Sequence, residues 1–150
     1  MSGMSFDISH DLDKLDSKLS QETLKRAALA GGEVIRGNAK VNINKTFSKS
    51  HGDAGLAGTI QVVVENSSPN GCEISVGPTA IHGRIRELGG TIKPINKKLL
   101  SWVDEAGERA FAKSVTVEPK PYLRPAVDEH VREIEAATGE QIRQGIERSK

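Results

Sequence analysis

The sequence contains few aromatic residues and a single cysteine. Phe, Trp and Tyr make up 3% of the 150 residues, so a core must be built mainly from Val, Ile, Leu and Ala. Cys72 has no second cysteine to pair with, which excludes an internal disulfide and the disulfide-stapled class of small secreted domains. We therefore expect one domain, spanning residues 1–150, that is stabilised by aliphatic packing.

The chain also lacks an excess of charge of either sign. It has 21 Lys and Arg against 20 Asp and Glu, which gives a formal net charge of +1 at pH 7. Such a balance provides no long-range field to gather DNA or anionic lipid, and nucleic-acid-binding domains more often carry a clear basic excess. No run approaches the ~20 apolar residues that cross a bilayer. The first residues carry acids and no apolar stretch, so we expect a cytosolic product without a secretory signal.

No motif for metal or covalent chemistry is present. None of the four histidines lies four residues from another or beside the cysteine, so no zinc-ligand spacing occurs. Cys72 alternates with Ile74 and Val76, which favours a buried structural thiol over a nucleophile. We therefore predict no catalytic residue, no metal and no cofactor. A small hydrolase that uses Cys72 or His82 is the weakest of the alternatives.

Helical periodicity marks both halves of the chain. Residues 20–41 predict a long helix, in which the pair Gly31-Gly32 indicates either a kink or a close crossing over another backbone. Residues 124–148 predict a C-terminal helix. We expect flexible ends at about residues 1–8 and 146–150.

The strands are predicted as two antiparallel hairpins. Residues 59–65 and 72–76 alternate between apolar and polar positions and flank a stretch that consists of turn residues throughout, Asn66–Gly71. A second hairpin is predicted from residues 99–103 and 108–117, around a turn at Asp104 to Gly107.

A short helix is predicted between the hairpins, over residues 79–88. Its apolar face carries Ile81, Ile85 and Leu88. The pair Gly89-Gly90 ends it, with glycine at the left-handed cap position.

Arg84 and Arg86 share this short helix with Glu87. Two interpretations of the arginines stay open: a solvated face with local charge pairing, or a charge contact between subunits.

The polar stretch from residue 42 to 56 is predicted to be a mobile loop. It carries Lys45, Lys49 and His51. A loop of this length in a small domain is either a mobile surface segment or an arm that orders on a partner.

Three prolines stiffen the segment of residues 117–126, VEPKPYLRPA, which we call the proline segment. Each proline fixes φ near −65° and lacks an N–H, so the chain cannot continue as a regular ladder here. Tyr122 and Leu123 stand between Pro121 and Pro125. We predict that these two side chains pin the start of the last helix against the strands.

Three stretches in fixed order resemble a known family. They are residues 55–60 (GLAGTI), 85–94 (IRELGGTIKP) and 112–126 (AKSVTVEPKPYLRPA). Together they resemble the neck and tail-component proteins of tailed phages: the gene-ten-product-like family of lambdoid phages, and the related virion-morphogenesis (tail-completion) proteins of Mu-like phages. Leu88 and Tyr122 stand where the family usually has Phe. The structural anchors that we expect in these stretches are Glu87, Gly89, Gly90, Pro121, Tyr122, Leu123 and Pro125.

The resemblance implies an α+β fold, in which a small twisted antiparallel sheet of two hairpins packs against a long N-terminal helix and a C-terminal helix. The periodicity indicates the same elements independently. The resemblance further implies a non-enzymatic virion protein that is made in the host bacterial cytoplasm and acts in head–tail joining or tail completion. It implies a homo-oligomeric ring of six or twelve subunits, beside connector and tail-terminator or tail-tube proteins, with at most non-specific DNA contact and no membrane.

A ring needs a subunit interface, and exposed polar loops and turns are the candidates. The residues predicted for it are Lys45, Lys49, His51, Arg84, Arg86, Asp104 and Glu105. The alternative function is a non-specific nucleic-acid-binding module that uses the basic stretch 40–51, with Lys40 as a further cation.

Overall fold

The computed structural model describes residues 20–47, 55–104 and 106–148 and has the predicted α+β class. The elements in chain order are α1 (Gln21–Thr46), a short 3₁₀ helix (Leu56–Thr59), β1 (Ile60–Ser68), β2 (Gly71–Pro78), α2 (Ile81–Leu88), β3 (Gly90–Ile92), β4 (Leu100–Val103), β5 (Arg109–Ala112), β6 (Val115–Val117), α3 (Leu123–Asp128) and α4 (Val131–Arg148). Within these ranges, no helix is both long and apolar enough to cross a membrane. The predicted flexible end at residues 1–8 lies outside them.

The helix α1 begins at a serine cap. The Ser20 side-chain oxygen accepts a hydrogen bond from the Thr23 backbone N at 3.2 Å, which satisfies one of the unpaired N–H groups at the helix start. The buried positions of the helix then recur every three or four residues, as one face of an amphipathic helix requires. They are Leu24, Ala27, Gly31, Gly32, Ile35, Ala39 and Ile43.

The end of α1 corrects the predicted loop of residues 42–56. The helix continues to Thr46, and Phe47 after it is buried, so residues 42–47 belong to the helix and the core. At the other end, Leu56 opens the 3₁₀ helix. Only residues 48–54 of the predicted loop remain unassigned, and they lie outside the described residues.

The first hairpin is confirmed. β1 and β2 pair antiparallel from Ile60 opposite Pro78 to Ser68 opposite Gly71. The strands are longer than predicted, so the turn shrinks to Pro69-Asn70. A register shift between Val64 and Asn66 marks a β-bulge.

The second hairpin is also present, in β4 and β5, but it shares no ladder with the first. The predicted strand over residues 108–117 is interrupted at Lys113-Ser114. Its first part, β5, pairs with β4, whereas its second part, β6, pairs with β3. The strands therefore form three two-stranded ladders rather than one sheet of two hairpins.

The predicted C-terminal helix is divided in two. α3 ends at Asp128 and α4 begins at Val131, so the continuous helix predicted over residues 124–148 is wrong at Glu129-His130. α4 continues to Arg148, which places residues 146–148 in regular helix rather than in the predicted flexible end.

α1 lies at the centre of the molecule, with the β1–β2 hairpin on one side and α4 on another. A Cβ at Gly31 would lie 2.8 Å from Thr138 Oγ1 on α4. A Cβ at Gly32 would lie 2.6 Å from Val62 Cγ1 and 2.7 Å from Ile74 Cδ1 on the hairpin. Of the two interpretations of this glycine pair, the structure therefore supports the close crossing.

Replacing Gly32 by Ala should destabilise the protein. The added methyl group overpacks against two stiff strand side chains, at a cost of about 1–3 kcal/mol, and this outweighs the ~1 kcal/mol gained in helix propensity. Gly37→Ala is the matched control, because a Cβ there meets nothing within 4 Å, and it should stabilise α1 by up to about 1 kcal/mol. Urea unfolding of both variants checks the opposite signs. Equal shifts would contradict the close crossing.

Candidate assembly site

The Glu87 side chain joins two elements that are far apart in sequence. Its Oε2 accepts hydrogen bonds from the backbone N of Tyr122 at 2.7 Å and of Leu123 at 3.0 Å. Its Oε1 accepts from the backbone N of Arg124 at 3.1 Å. These N–H groups stand at the start of α3, where the helix itself offers no acceptor. A carboxylate of α2 therefore caps α3.

The Tyr122 side chain is completely buried beside this cap. Its hydroxyl donates to the Gly83 carbonyl at 2.9 Å, and its own carbonyl accepts from Asn42 Nδ2 at 3.1 Å. Its ring meets the Phe47 ring edge to face, with centroids 6.3 Å apart. Burial, with the Glu87 charge as a second cause, raises the pKa of Tyr122 to about 12. Tyr122 therefore ties α1, α2 and the proline segment together.

Gly89, directly after α2, makes a further contact with the proline segment. It has φ of 71°, a left-handed conformation that favours glycine, and a Cβ there would lie 2.8 Å from Pro119 Cδ. The Lys120 N–H donates to the Arg86 carbonyl at 2.8 Å. Gly90, opposite Val117, then starts the β3–β6 ladder.

The remaining expected anchors differ in their burial. Leu123 and Pro125 are half-buried, whereas Pro121 is exposed. The Pro125 carbonyl accepts the Glu129 N–H at 3.1 Å at the end of α3.

A cleft of about 850 Å³ lies between α2 and α3, and we call it the α2–α3 groove. Ile81, Arg84 and Leu88 line it from α2, and their spacing places them on one helical face. Its α3 side carries Leu123, Arg124, Val127 and Asp128, and strand β2 adds Ile74 and Val76.

The exposure of this groove corrects the predicted apolar face of α2. Ile81 is 96% exposed and Leu88 64% exposed, and of the three residues on the predicted apolar face only Ile85 is half-buried. The helix instead packs through Gly83, where a Cβ would lie 2.5 Å from Pro78 Cγ. A glycine allows the closest approach, so the packing face is the one that carries it.

The β4–β5 hairpin, residues 100–112, exposes apolar side chains on both of its faces, with Val103 and Phe111 on one and Trp102 on the other, and we call it the β4–β5 arm. Its two strands pack mainly against each other. Val103 is 64% exposed, Phe111 59% and Trp102 41%. At its tip, Asp104 Oδ1 accepts the backbone N–H groups of Ala106 and Glu108, each at 2.9 Å. Apolar surfaces of this kind usually mark contact sites.

The predicted interface residues lie on separate elements. Lys45 is exposed in the last turn of α1, and Asp104 is exposed at the tip of the β4–β5 arm. Arg84 is exposed on the α2–α3 groove, whereas Arg86 is half-buried, with its guanidinium carbon 5.4 Å from the Phe47 ring centroid. Lys49, His51 and Glu105 lie outside the described residues. The interface assignment stays a prediction.

The candidates for covalent or metal chemistry are isolated from one another. Cys72 is half-buried rather than buried. Burial raises the pKa of its thiol, against the opposing effects of the Lys25 charge and a hydrogen bond with Ser67, so the unreactive protonated form is favoured. His82 is exposed on α2. No group of three or more His, Cys, Asp or Glu in the described part of the chain could hold a metal ion.

Sequence reasoning missed the part played by Phe47, which was assigned to a loop. A signal was present, because Ile35, Ala39, Ile43 and Phe47 continue one stripe at four-residue spacing. No comparable signal marked the exposed apolar surfaces of the groove and the arm.

Comparison of the chain with protein-family models, with curated proteins and with solved structures found no match.

Glu87→Ala should lower the free energy of unfolding by about 2–3 kcal/mol, because three N–H groups lose their charged acceptor. Glu87→Gln, which keeps one acceptor oxygen, should lose less. Glu135→Ala is the control, since this exposed α4 side chain should change stability by less than about 0.5 kcal/mol. Chemical denaturation of the variants measures the difference. A Glu87→Ala variant as stable as the control would contradict the capping role.

Tyr122 is the single tyrosine, so tyrosinate absorbance near 295 nm reports it alone. Its pKa should be about 12 in the folded protein and about 10 in denaturant. Since the folded-state value is the higher one, the stability that this group contributes is complete below pH 10 and is lost between pH 10 and 12. Tyr122→Phe should remove this alkaline loss. A folded-state titration near pH 10 would show that the ring is not buried.

Proposed function

We propose that this chain is a non-enzymatic structural protein of a phage neck or tail, which acts in head–tail joining or tail completion by assembling into a ring. The observation that carries the proposal is that two of the three family-like stretches contact each other. Residues 85–94 and 112–126 meet through the Glu87 cap, the Gly89–Pro119 approach and the β3–β6 ladder.

This contact supports the resemblance because it gives a structural reason for the residues that carry it. A carboxylate is needed at position 87 to cap α3, and glycine is needed at position 89 for its left-handed φ. An aromatic ring at position 122 fills the space beside Phe47.

The exposed apolar surfaces support assembly. The β4–β5 arm and the α2–α3 groove lie on different elements, and both are open to solvent in a single copy of the chain. Two unlike patches on one subunit suit head-to-tail contacts, which close into a ring when the rotation between subunits closes.

The nucleic-acid alternative gains no comparable observation. Lys40 and Lys45 belong to the helix α1 rather than to a basic loop, and Lys40 is half-buried. A weak dependence of DNA affinity on salt, or no binding at low salt, would remove this alternative.

The proposal predicts a discrete oligomer and a place in the particle. Mass photometry of the purified protein should show one oligomer with a defined number of subunits. Mass spectrometry of purified phage particles should detect the chain. Disrupting its gene in the phage or prophage should leave unjoined heads or unfinished tails under negative-stain microscopy, and a plasmid copy should restore whole particles. A protein absent from particles, with a gene whose loss leaves particles intact, would refute the function.

A further inference from the structure

Two strand ladders meet at the base of the β4–β5 arm. Ile92 at the end of β3 pairs with Val115, and Leu100 at the start of β4 pairs with Ala112. Only residues 113–114 separate β5 from β6, so the segment between β3 and β4 begins and ends beside this link. The exposed cations of the segment and the link form a group that we call the lysine cluster: Lys93, Lys97, Lys98 and Lys113.

The lysine cluster has no acid to balance it nearby in the chain. No Asp or Glu stands within four residues of any of its members. Along the β4–β5 ladder, Asp104 and Glu108 lie at the opposite end, about 10 Å from the link. Glu118 lies beyond the far end of the β3–β6 ladder, past Val117. The net charge of +1 for the whole chain therefore averages over a local excess of positive charge.

The lysine cluster differs in this respect from the cations of the helices. Several helical arginines form an ion pair with an acid three or four positions away: Arg26, Arg36, Arg124 and Arg143. Within residues 20–47, 55–104 and 106–148, no member of the lysine cluster forms an ion pair. Like charges that are held together repel one another, and an anionic partner removes that repulsion.

Double-stranded DNA is the polyanion that suits this surface. Its duplex carries one negative charge per roughly 1.7 Å of axis, twice the density of a single strand, so neighbouring lysines meet several phosphates at once. Asn96 and Ser114 are exposed within the same two segments, and such side chains donate hydrogen bonds to phosphate oxygens. Lysine acts as a point charge on a flexible stem, which suits contacts that do not depend on base sequence.

We propose that the lysine cluster binds the phosphate backbone of double-stranded DNA without sequence preference. The attraction acts at short range, because salt at 0.1 M screens charges beyond about 10 Å, and it therefore does not require a basic chain. The surface is also distinct from the basic stretch 40–51, whose Lys40 and Lys45 belong to α1. One copy of the chain carries the whole cluster, so the inference does not depend on ring assembly.

The salt dependence of DNA affinity tests this contact. Fluorescence anisotropy of a labelled duplex with the full chain should show log affinity falling linearly with log salt, by about 0.9 per phosphate contacted. Four contacts correspond to an affinity roughly 100-fold weaker at 200 mM than at 50 mM salt. Lys97→Gln combined with Lys98→Gln removes two of the four charges and should halve the slope.

A second pair and a matched control locate the contact. Lys93→Gln combined with Lys113→Gln should also halve the slope, because these residues flank the same junction on other segments. Lys40→Gln combined with Lys45→Gln removes the same charge from α1 and should leave slope and affinity unchanged. Circular dichroism verifies folding, and either cluster pair carries the test if the other fails to fold.

Four results would overturn the inference. They are no DNA binding at low salt, a slope unchanged in the cluster pairs, a slope lowered equally in the control pair, and tighter binding of polyglutamate or phosphatidylglycerol vesicles than of DNA at the same salt. The last result would assign the cluster to an acidic protein or a membrane surface. None of them affects the proposed function, which the oligomer and the presence of the chain in particles decide separately.

Discussion

One carboxylate organises the part of the molecule that matters most for its proposed role. Glu87 accepts three backbone N–H groups at the start of α3 and so fixes the distance between α2 and α3. That distance sets the width of the groove between the two helices and the position at which Tyr122 enters the core. The nearby left-handed Gly89 turns the chain into the ladder that carries the arm. The start of α3, the position of Tyr122 and the α2–α3 groove therefore depend on one half-buried carboxylate that bonds to residues 35 and more positions away in sequence.

Local sequence patterns predicted most helices and strands of the fold, but they did not predict which strand pairs with which. The alternation around Asn66–Gly71 predicts the first hairpin, and Tyr122 between prolines predicts a buried anchor. No local sequence pattern predicts that β6 pairs with β3 rather than continuing from β5, because the pairing depends on contacts between residues distant in sequence. The break at Glu129-His130 also lacks a glycine or proline to announce it.

The candidate site was less predictable than the fold for a related reason. Hydrophobic periodicity indicates that a face avoids water, but it does not identify the molecule that covers it. Ile81 and Leu88 have the spacing of core residues, yet the buried face of α2 is the one that carries Gly83. The same holds for Trp102 and Phe111, whose strand pattern is that of a half-buried hairpin. Only the structure distinguishes exposed apolar residues with such spacing from residues of the core.

The paired glycines of α1 have a consequence for how the protein can vary. The absence of a side chain lets α4 pack closely at Gly31 and the first hairpin at Gly32, so two adjacent positions contact two different neighbours. One residue inserted before them would rotate the helix by about 100° relative to both partners. Contacts on two sides therefore fix the rotational position of α1. Insertions and deletions should be tolerated better at the hairpin turns. The rotation of α1 about its own axis is therefore fixed, whereas turns at the surface can change in length without disturbing it.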